Sequence, residues 1–258
     1  MADELACITQ GSIGILETVD GSLGLFSEKI ESCRVYIFEC ANATLLVHDT
    51  GQIRLQALCD FIANYGEVKA VAYAIGNRTA EQHHHARLQR MAKQLKFRLT
   101  VAKPVRIQQN SFAVAYTKNF HLIEAKATYF NVKRDPNEAV REAVNILNDW
   151  FTPSNSQSAP LDVQFQNGEF TQPPKLTMSV IEMLKDLRAD KKHGLLGASA
   201  LGHFGPQAGL TLPAELPAFL REHGLSEACY KGLPLHLADK GKAYQQLAEK
   251  FGNLPIFG

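Results

Sequence analysis

The residues of this chain best suited to chemistry are a thiol and an imidazole, Cys33 and His48, on two neighbouring β-type runs. The runs CRVYIFEC and ATLLVHD are joined by the turn-forming segment Ala41-Asn42-Ala43, a pattern that predicts an antiparallel hairpin. Because the two residues stand almost symmetrically about the turn, we expect them to oppose each other directly, with Cβ atoms about 4.5–5.5 Å apart. At that separation an imidazole can take the proton of a thiol and leave a nucleophilic thiolate.

The same hairpin has a simpler interpretation. Both residues lie in apolar runs, and most cysteines in such runs are small buried core residues. The five cysteines, which lack CxxC spacing, argue against a disulfide framework and a structural zinc site. An inert Cys33 in a non-catalytic interaction module therefore stays an open alternative, with the C-terminal region as the binding surface.

The elements that must position the pair follow from hydrophobic pattern. Asp20-Gly21 between apolar runs predicts an earlier hairpin. The segment IRLQALCDFIANYG predicts a first helix with Cys59 on its buried face and a terminating Gly66. The apolar run VKAVAYAIG predicts a strand after it, and Lys118-Asn119 predicts a further hairpin turn.

A second helix is predicted over roughly 80–96, with three consecutive histidines in its first turns. Adjacent helix positions do not face each other, so this run does not favour a metal site. A third helix is predicted after Asp135-Pro136 and before Pro153. Its predicted apolar stripe consists of Val140, Val144, Leu147 and Phe151.

The polar segment SNSQSAP, residues 154–160, is the predicted linker between a catalytic domain (1–153) and an accessory or partner-binding region (161–258). In the second region, Asn167-Gly168 predicts a hairpin, and the glycine-dotted segment after Gly194 predicts a surface loop. The expected fold class is α+β, with a β-rich, sandwich-like catalytic domain and flanking helices. A mainly helical C-terminal region follows it.

Composition narrows the classes of partner. The chain has 258 residues, 45% of them hydrophobic, and a formal net charge of +1, which gives no reason to expect nucleic acid as a ligand. No apolar run is long enough to span a bilayer, and the acidic start MADELACITQ lacks the features of a signal peptide. We therefore expect a cytoplasmic protein; secretion by a route without a cleaved N-terminal signal stays open.

The order of these elements resembles the cysteine amidohydrolase superfamily. That superfamily includes chemoreceptor glutamine deamidases, the catalytic domain of cytotoxic necrotizing factor toxins and protein N-terminal asparagine amidohydrolases. The matching pieces are Ser32-Cys33, the strand RVYIFEC and LLVHD with His48 near its end, followed by the helix IRLQALCDFI and the strand VKAVAYAIGN. The likeness covers about the first half of the chain and is one of order, since Glu31-Ser32 stands where the chemoreceptor enzymes carry more glycine.

The resemblance implies a set of roles. Cys33 would be the nucleophile and His48 its base, and a hydroxyl or backbone carbonyl upstream of the cysteine would be the third catalytic group, for which Ser27 is the nearest candidate. Ser32 and Asp49, which flank the pair, are the expected oxyanion or substrate contacts. The implied partner is a protein substrate that carries the target amide, and no metal or organic cofactor is required.

The implied reaction is hydrolysis of a Gln or Asn carboxamide through a thioester, with release of ammonia. An amine in place of water would give transglutamination instead. A papain-like thiol protease is a weaker alternative, because the nucleophile of that family opens a helix whereas Cys33 is predicted to open a strand. The sequence does not choose between an internal Gln, an N-terminal Asn and a free amide.

Overall fold

The computed structural model describes residues 4–17, 23–30, 33–51, 53–76, 81–99, 105–107, 112–117, 120–126, 130–151, 161–183, 194–212, 214 and 216. Its strands in chain order are β1 (Glu4–Cys7), β2 (Ser12–Glu17), β3 (Leu23–Ser27), β4 (Arg34–Cys40), β5 (Ala43–Asp49), β6 (Val68–Gly76), β7 (Val105–Ile107), β8 (Phe112–Thr117), β9 (Phe120–Lys126), β10 (Asn131–Lys133), β11 (Asp162–Gln166) and β12 (Glu169–Phe170). Its helices are α1 (Leu55–Ala63), α2 (Glu81–Leu95), α3 (Glu138–Trp150) and α4 (Gly194–Phe204). This mixed content is consistent with the predicted α+β class.

The strands form two sheets. The five-stranded sheet has the order β10-β1-β3-β8-β9, and the seven-stranded sheet has the order β12-β11-β2-β5-β4-β6-β7. The hairpin predicted through Asp20-Gly21 is wrong, because β2 and β3 belong to different sheets. β2 pairs with β5 and β11, while β3 pairs with β1 and β8, so long-range pairing outweighs the local turn signal. Residues 20 and 21 themselves lie outside the described part of the chain.

Three other predicted hairpins are confirmed. β4 pairs antiparallel with β5, β8 with β9, and β11 with β12. The last of these turns through Asn167 and Gly168, both with positive φ (54° and 80°), as a two-residue hairpin turn of the primed type requires.

The chain divides into two compact units that do not follow the predicted domain ranges. The first unit comprises Met1–Glu138 and Leu161–Gln172, and the second comprises Ala139–Pro160 and Pro173–Gly258. Residues 161–172, predicted to be accessory, join the first unit because β11 pairs in parallel with β2. The predicted linker, residues 154–160, lies outside the described residues.

One apolar layer within the first unit joins the two sheets. The five-stranded sheet and the segments that follow β1 and β3 contribute residues such as Ile8 and Leu25, and the seven-stranded sheet contributes Val35, Leu46 and Phe165. Cys33 belongs to the same layer. Since side chains alternate along a strand, the neighbours of these residues point to the opposite faces of their sheets.

The opposite face of the seven-stranded sheet is covered by α1 and α2. Tyr36 and Val47 pack there with Leu58 from α1 and with Leu88 and Met91 from α2. The predictions for both helices are confirmed. Cys59 is buried, and Gly66 has the positive φ (88°) of a glycine just past a helix end.

The described part of the second unit corrects two predictions. Val144, Leu147 and Phe151 are buried as predicted for the stripe of α3, whereas Val140 is 39% exposed. Arg141 and Ala143 are fully buried as well, so the buried surface of the helix is wider than the predicted stripe. The glycine-dotted segment predicted as a loop forms α4, with Ala200 and Leu201 buried. Its alanine and leucine residues favour a helix strongly enough to offset the glycines.

Elsewhere in the C-terminal region predicted to be mainly helical, residues 180–183 form a helical turn, and the residues after 216 lie outside the described part of the chain. Within the described residues, no helix combines the length and apolar character needed to cross a membrane.

We predict that Gly14→Ala destabilises the fold by about 1–3 kcal/mol, the usual range for overpacking. A Cβ at Gly14 would lie 2.6 Å from Ile8 Cδ1 and 2.9 Å from Leu25 Cδ2, inside the layer between the sheets. Urea unfolding measures the loss. The matched control is Ala70→Val on the exposed part of β6, which should change the free energy of unfolding by no more than about 0.5 kcal/mol. Equal effects of the two substitutions would contradict the close approach of the sheets at Gly14.

Candidate functional site

The hairpin that carries the thiol and the imidazole has a different register from the predicted one. Val35, not Cys33, lies opposite His48, and Arg34 lies opposite Asp49. The predicted direct opposition of Cys33 and His48 is therefore wrong, because only Ala41 and Asn42 form the turn between β4 and β5. Cys33 comes two residues before Val35 and is a diagonal neighbour of His48, a relation in which Cα atoms are about 7–8 Å apart.

Cys33 and His48 nevertheless share one face of the seven-stranded sheet. Cys33 packs with Val35 in the layer between the sheets, and His48 follows Leu46 of that layer by two residues. Both are 1% exposed. A shift of two residues keeps a side chain on the same face, whereas a shift of one would have sent it to the other. Compared with the predicted pairing, the thiol is therefore displaced along the strand by two residues, but it stays on the same face of the sheet as the imidazole.

Ser27, at the end of β3 in the five-stranded sheet, lies directly against His48. Its Oγ is 2.8 Å from His48 Nδ1 and donates a hydrogen bond of 2.7 Å to the carbonyl oxygen of Ile8. Ser27 follows Leu25 by two residues, so it faces the same apolar layer, and it is fully buried. The contact therefore joins one sheet to the other through their common layer.

These two hydrogen bonds fix the tautomer of His48. The carbonyl oxygen of Ile8 can only accept, so the one hydroxyl proton of Ser27 is used there. Nδ1 of His48 must then donate to Ser27 Oγ. In a neutral imidazole the other nitrogen, Nε2, consequently carries the lone pair. Ser27 thus leaves Nε2 as the nitrogen that can accept a proton.

Main-chain hydrogen bonds hold each of these residues in place. His48 O accepts from Gly11 N at 2.8 Å, and Cys33 O accepts from Gly76 N at 3.1 Å. Ile8, whose carbonyl orients Ser27, donates its own N–H to Phe26 O at 2.8 Å. Each side chain is therefore carried by backbone that is tied to a neighbouring strand, and its position depends on the sheets and not on a free loop.

Of the two predicted flanking contacts, Ser32 lies outside the described residues. Asp49 is placed on the wrong side for a substrate contact at Cys33. It follows His48 directly, so its side chain points to the opposite, helix-covered face. There its Oδ2 accepts from Arg87 Nε at 2.8 Å, and its Oδ1 accepts from Gly51 N at 2.8 Å. The prediction that Asp49 contacts oxyanion or substrate is corrected: it is a buried partner of arginine.

Sequence reasoning missed a second polar group on the face that carries His48. Ser12 Oγ donates to Asp162 Oδ2 at 2.6 Å, and Gln164 Oε1 accepts from Thr9 N at 2.8 Å. The register Ile13↔Val47 places Ser12 beside His48 on the neighbouring strand. Asp162 and Gln164 alternate with apolar residues in DVQF, a signal for one polar face. The sequence does not connect this signal with the site, because residues 161–258 are predicted to form a separate region.

The other described cysteines lie in surroundings that raise the pKa of their thiols. Burial raises the pKa of the Cys40 and Cys59 thiols to about 11 each. Burial, together with Glu28, raises the pKa of Cys7 to about 12. These thiols stay protonated and unreactive at neutral pH, so they are internal references for Cys33. Cys229 lies outside the described residues.

The run of three histidines starts in the first turn of α2. His85 Nδ1 lies 3.4 Å from the Tyr73 hydroxyl, and the side chains of the other two lie outside the described part. In the ranges that the structure describes, no group of three or more His, Cys, Asp or Glu side chains is arranged to hold a metal ion.

We predict that His48 carries its proton on Nδ1 at neutral pH and that Ser27→Ala removes this preference. The reason is that Ser27 Oγ is the acceptor for Nδ1–H. Imidazole ¹⁵N shifts in labelled protein distinguish the two nitrogens, with His85 as an internal reference. A pyridine-type Nδ1 on His48 in the unsubstituted protein would contradict the assignment.

A comparison of the chain with protein-family models finds no matching family. A comparison with curated proteins finds no match either. The case for a function accordingly depends on the geometry of Ser27, His48 and Cys33 and on the order of the elements that carry them.

Proposed function

We propose that this chain is a cysteine amidohydrolase that deamidates a Gln or Asn side chain of a protein substrate. The observation that carries the proposal is the hydrogen bond between Ser27 and His48. It orients the imidazole so that Nε2 is the basic nitrogen on the face of the sheet that also carries Cys33. A base held in one tautomer beside a thiol is the arrangement that thiolate chemistry needs.

The reaction divides into acylation and hydrolysis. Nε2 of His48 takes the proton of the Cys33 thiol, and the sulfur attacks the carboxamide carbon. The C–N bond of the resulting tetrahedral species breaks as His48 returns the proton to nitrogen, and ammonia leaves. Water, deprotonated by His48, then attacks the thioester carbon. The C–S bond breaks, the thiol is restored, and the side chain has become a carboxylate.

Ser27 contributes by stabilising the positive charge that His48 acquires when it takes the thiol proton. When Nε2 gains a proton, Nδ1 keeps its own, and Ser27 Oγ accepts from it in both states. Because the hydroxyl proton is already used by Ile8 O, the lone pair of Oγ stays directed at Nδ1. The imidazolium is therefore stabilised without reorganisation, which lowers the barrier to proton transfer from the thiol. Backbone N–H groups near Cys33 are the natural donors to the oxyanion.

Burial favours a second candidate function. Cys33, His48 and Ser27 are each at most 1% exposed, and Cys33 packs among apolar residues. An ordinary core cysteine has the same surroundings. In that case the protein is a non-catalytic interaction module, and the Ser27–His48 bond serves only to satisfy two buried polar side chains.

We predict that Cys33 reacts with iodoacetamide at a pH midpoint below the ordinary thiol value of about 8.5. His48→Gln should raise that midpoint, because it removes the base that accepts the thiol proton. Peptide mass mapping after labelling across a pH series measures each cysteine separately. Cys40 and Cys59, whose thiol pKa values burial raises to about 11, should label only at much higher pH. His85→Gln is the matched control for loss of an imidazole.

Either of two results would count against the amidohydrolase: Cys33 that stays unlabelled in the folded protein, or a midpoint that His48→Gln leaves in place. Both outcomes favour the interaction module. The comparison is internal, since the reference thiols are read from the same sample.

We predict that the protein releases ammonia from a peptide library containing Gln and Asn, and that Cys33→Ser abolishes the release. The matched control is Cys40→Ser, which changes another buried thiol near the same hairpin but on the helix-covered face. Mass spectrometry identifies the peptide that has exchanged –NH₂ for –OH, and so decides between Gln and Asn. An added primary amine that becomes linked to the peptide instead would identify a transglutaminase.

A further inference from the structure

A buried charge cluster lies on the other side of the seven-stranded sheet, directly behind the thiol and the imidazole. Its members are Arg34 and Asp49, on the paired strands β4 and β5, and Arg87 on α2. Arg34 follows Cys33 in the chain, and Asp49 follows His48. The cluster therefore acts on the backbone positions next to the two residues of the proposed dyad.

The contacts connect three elements. Arg87 Nε donates to Asp49 Oδ2 at 2.8 Å, and Arg87 Nη2 donates to the carbonyl oxygen of Ile53, in the segment before α1. Arg34 Nε lies 3.7 Å from Asp49 Oδ2, and the two residues are register partners across β4 and β5. Asp49 also accepts from Gly51 N, which fixes the turn of the chain out of β5.

Because the cluster is buried, its charged groups must stay paired with one another. The Asp49 side chain is fully buried, and the side chains of Arg34 and Arg87 are 5% and 12% exposed. Burial, the largest single influence, lowers the pKa of Arg87, but the Asp49 carboxylate together with Tyr36 and Cys59 outweighs burial, so the Arg87 pKa is raised. A charge that is buried without its partner is costly, so alternatives that separate these groups are disfavoured. A one-residue slip of β5 against β4 would bring Asp49 into the apolar layer and His48 out of it.

We propose that Arg87 is a positioning residue for the Cys33–His48 pair: through Asp49 it fixes the ends of β4 and β5 at the register that puts both residues on one face. The inference rests on the proposed amidohydrolase function, because it assigns Arg87 to the alignment of that dyad. Arg87 acts from the opposite face of the sheet and is not itself a catalytic residue.

The charged and titratable groups around the pair support this assignment. In the described layer between the sheets, His48 is a diagonal neighbour of Cys33 and contacts the neutral Ser27. The carboxylate of Asp162 lies on the same face, where it accepts from Ser12 beside His48, and the carboxylate of Asp135 accepts from Gln164 Nε2. Behind the sheet lie Arg34, Asp49 and Arg87, with Tyr36 and Cys59 within their electrostatic influence. A change at Arg87 thus reaches the thiol through the strand ends and not through direct contact.

The test is the pH midpoint of Cys33 alkylation in Arg87→Gln. We expect it to rise by about one pH unit, which lowers the labelling rate at neutral pH about tenfold. Cys40, in the core beneath α1 and α2, reports general loosening of the fold, because burial alone raises the pKa of its thiol. Its labelling should change much less than that of Cys33. The matched control is Arg90→Gln one turn further along α2, where the arginine is exposed and bonds only within its helix among the described residues.

Should Arg87→Gln fail to fold, Arg87→Lys decides, because lysine keeps the charge and loses the forked geometry. A smaller rise of the Cys33 midpoint in a folded Arg87→Lys supports the positioning role. A low Cys33 midpoint that both variants leave unchanged would overturn it while the amidohydrolase proposal stands. A wild-type midpoint that is ordinary, and insensitive to His48→Gln, overturns the amidohydrolase proposal itself.

Discussion

The hydrogen bond between Ser27 and His48 is the constraint on which the candidate site depends. It places an imidazole, a hydroxyl and a carbonyl in a largely apolar layer, where each unsatisfied polar group would cost free energy. Each of the three comes from a different strand or its continuation, so the polar groups can be satisfied only when both sheets are in place. The two sheets must therefore be correctly assembled for the base to be correctly oriented.

Local signals in the sequence predicted much of what surrounds this bond. The β4–β5 hairpin, the buried face of α1 and the limits of α2 follow from patterns within a few residues of one another. The separation of β2 and β3 into different sheets does not, because it is decided by partners far along the chain. The register of β4 against β5 is a case between these two. The sequence predicts where the turn lies, but the pairing depends on how many residues form the turn.

The site shows the same division between local and distant information. The family resemblance predicts a catalytic hydroxyl or carbonyl upstream of Cys33, for which Ser27 is the nearest candidate. The structure places the hydroxyl of Ser27 against His48. Strand alternation alone predicts that His48 and Asp49 lie on opposite faces of the sheet, since adjacent side chains of a strand point in opposite directions. Asp162, in contrast, reaches the polar face through the parallel pairing of β11 with β2, a contact between segments about 150 residues apart, and no local pattern encodes it.

The two faces of the sheet carry different kinds of polar contact, and the difference suits proton transfer. An ionised carboxylate bonded directly to Nδ1 of His48 would favour the imidazolium and hold the proton that has to return to the leaving nitrogen. A hydroxyl orients the same nitrogen without adding a formal charge, so the imidazole remains free to take and return a proton. The ion pairs that fix the strand ends lie behind the sheet, where Asp49 meets Arg34 and Arg87. The ion pairs that determine register thus lie on the face opposite to the hydroxyl that orients the base.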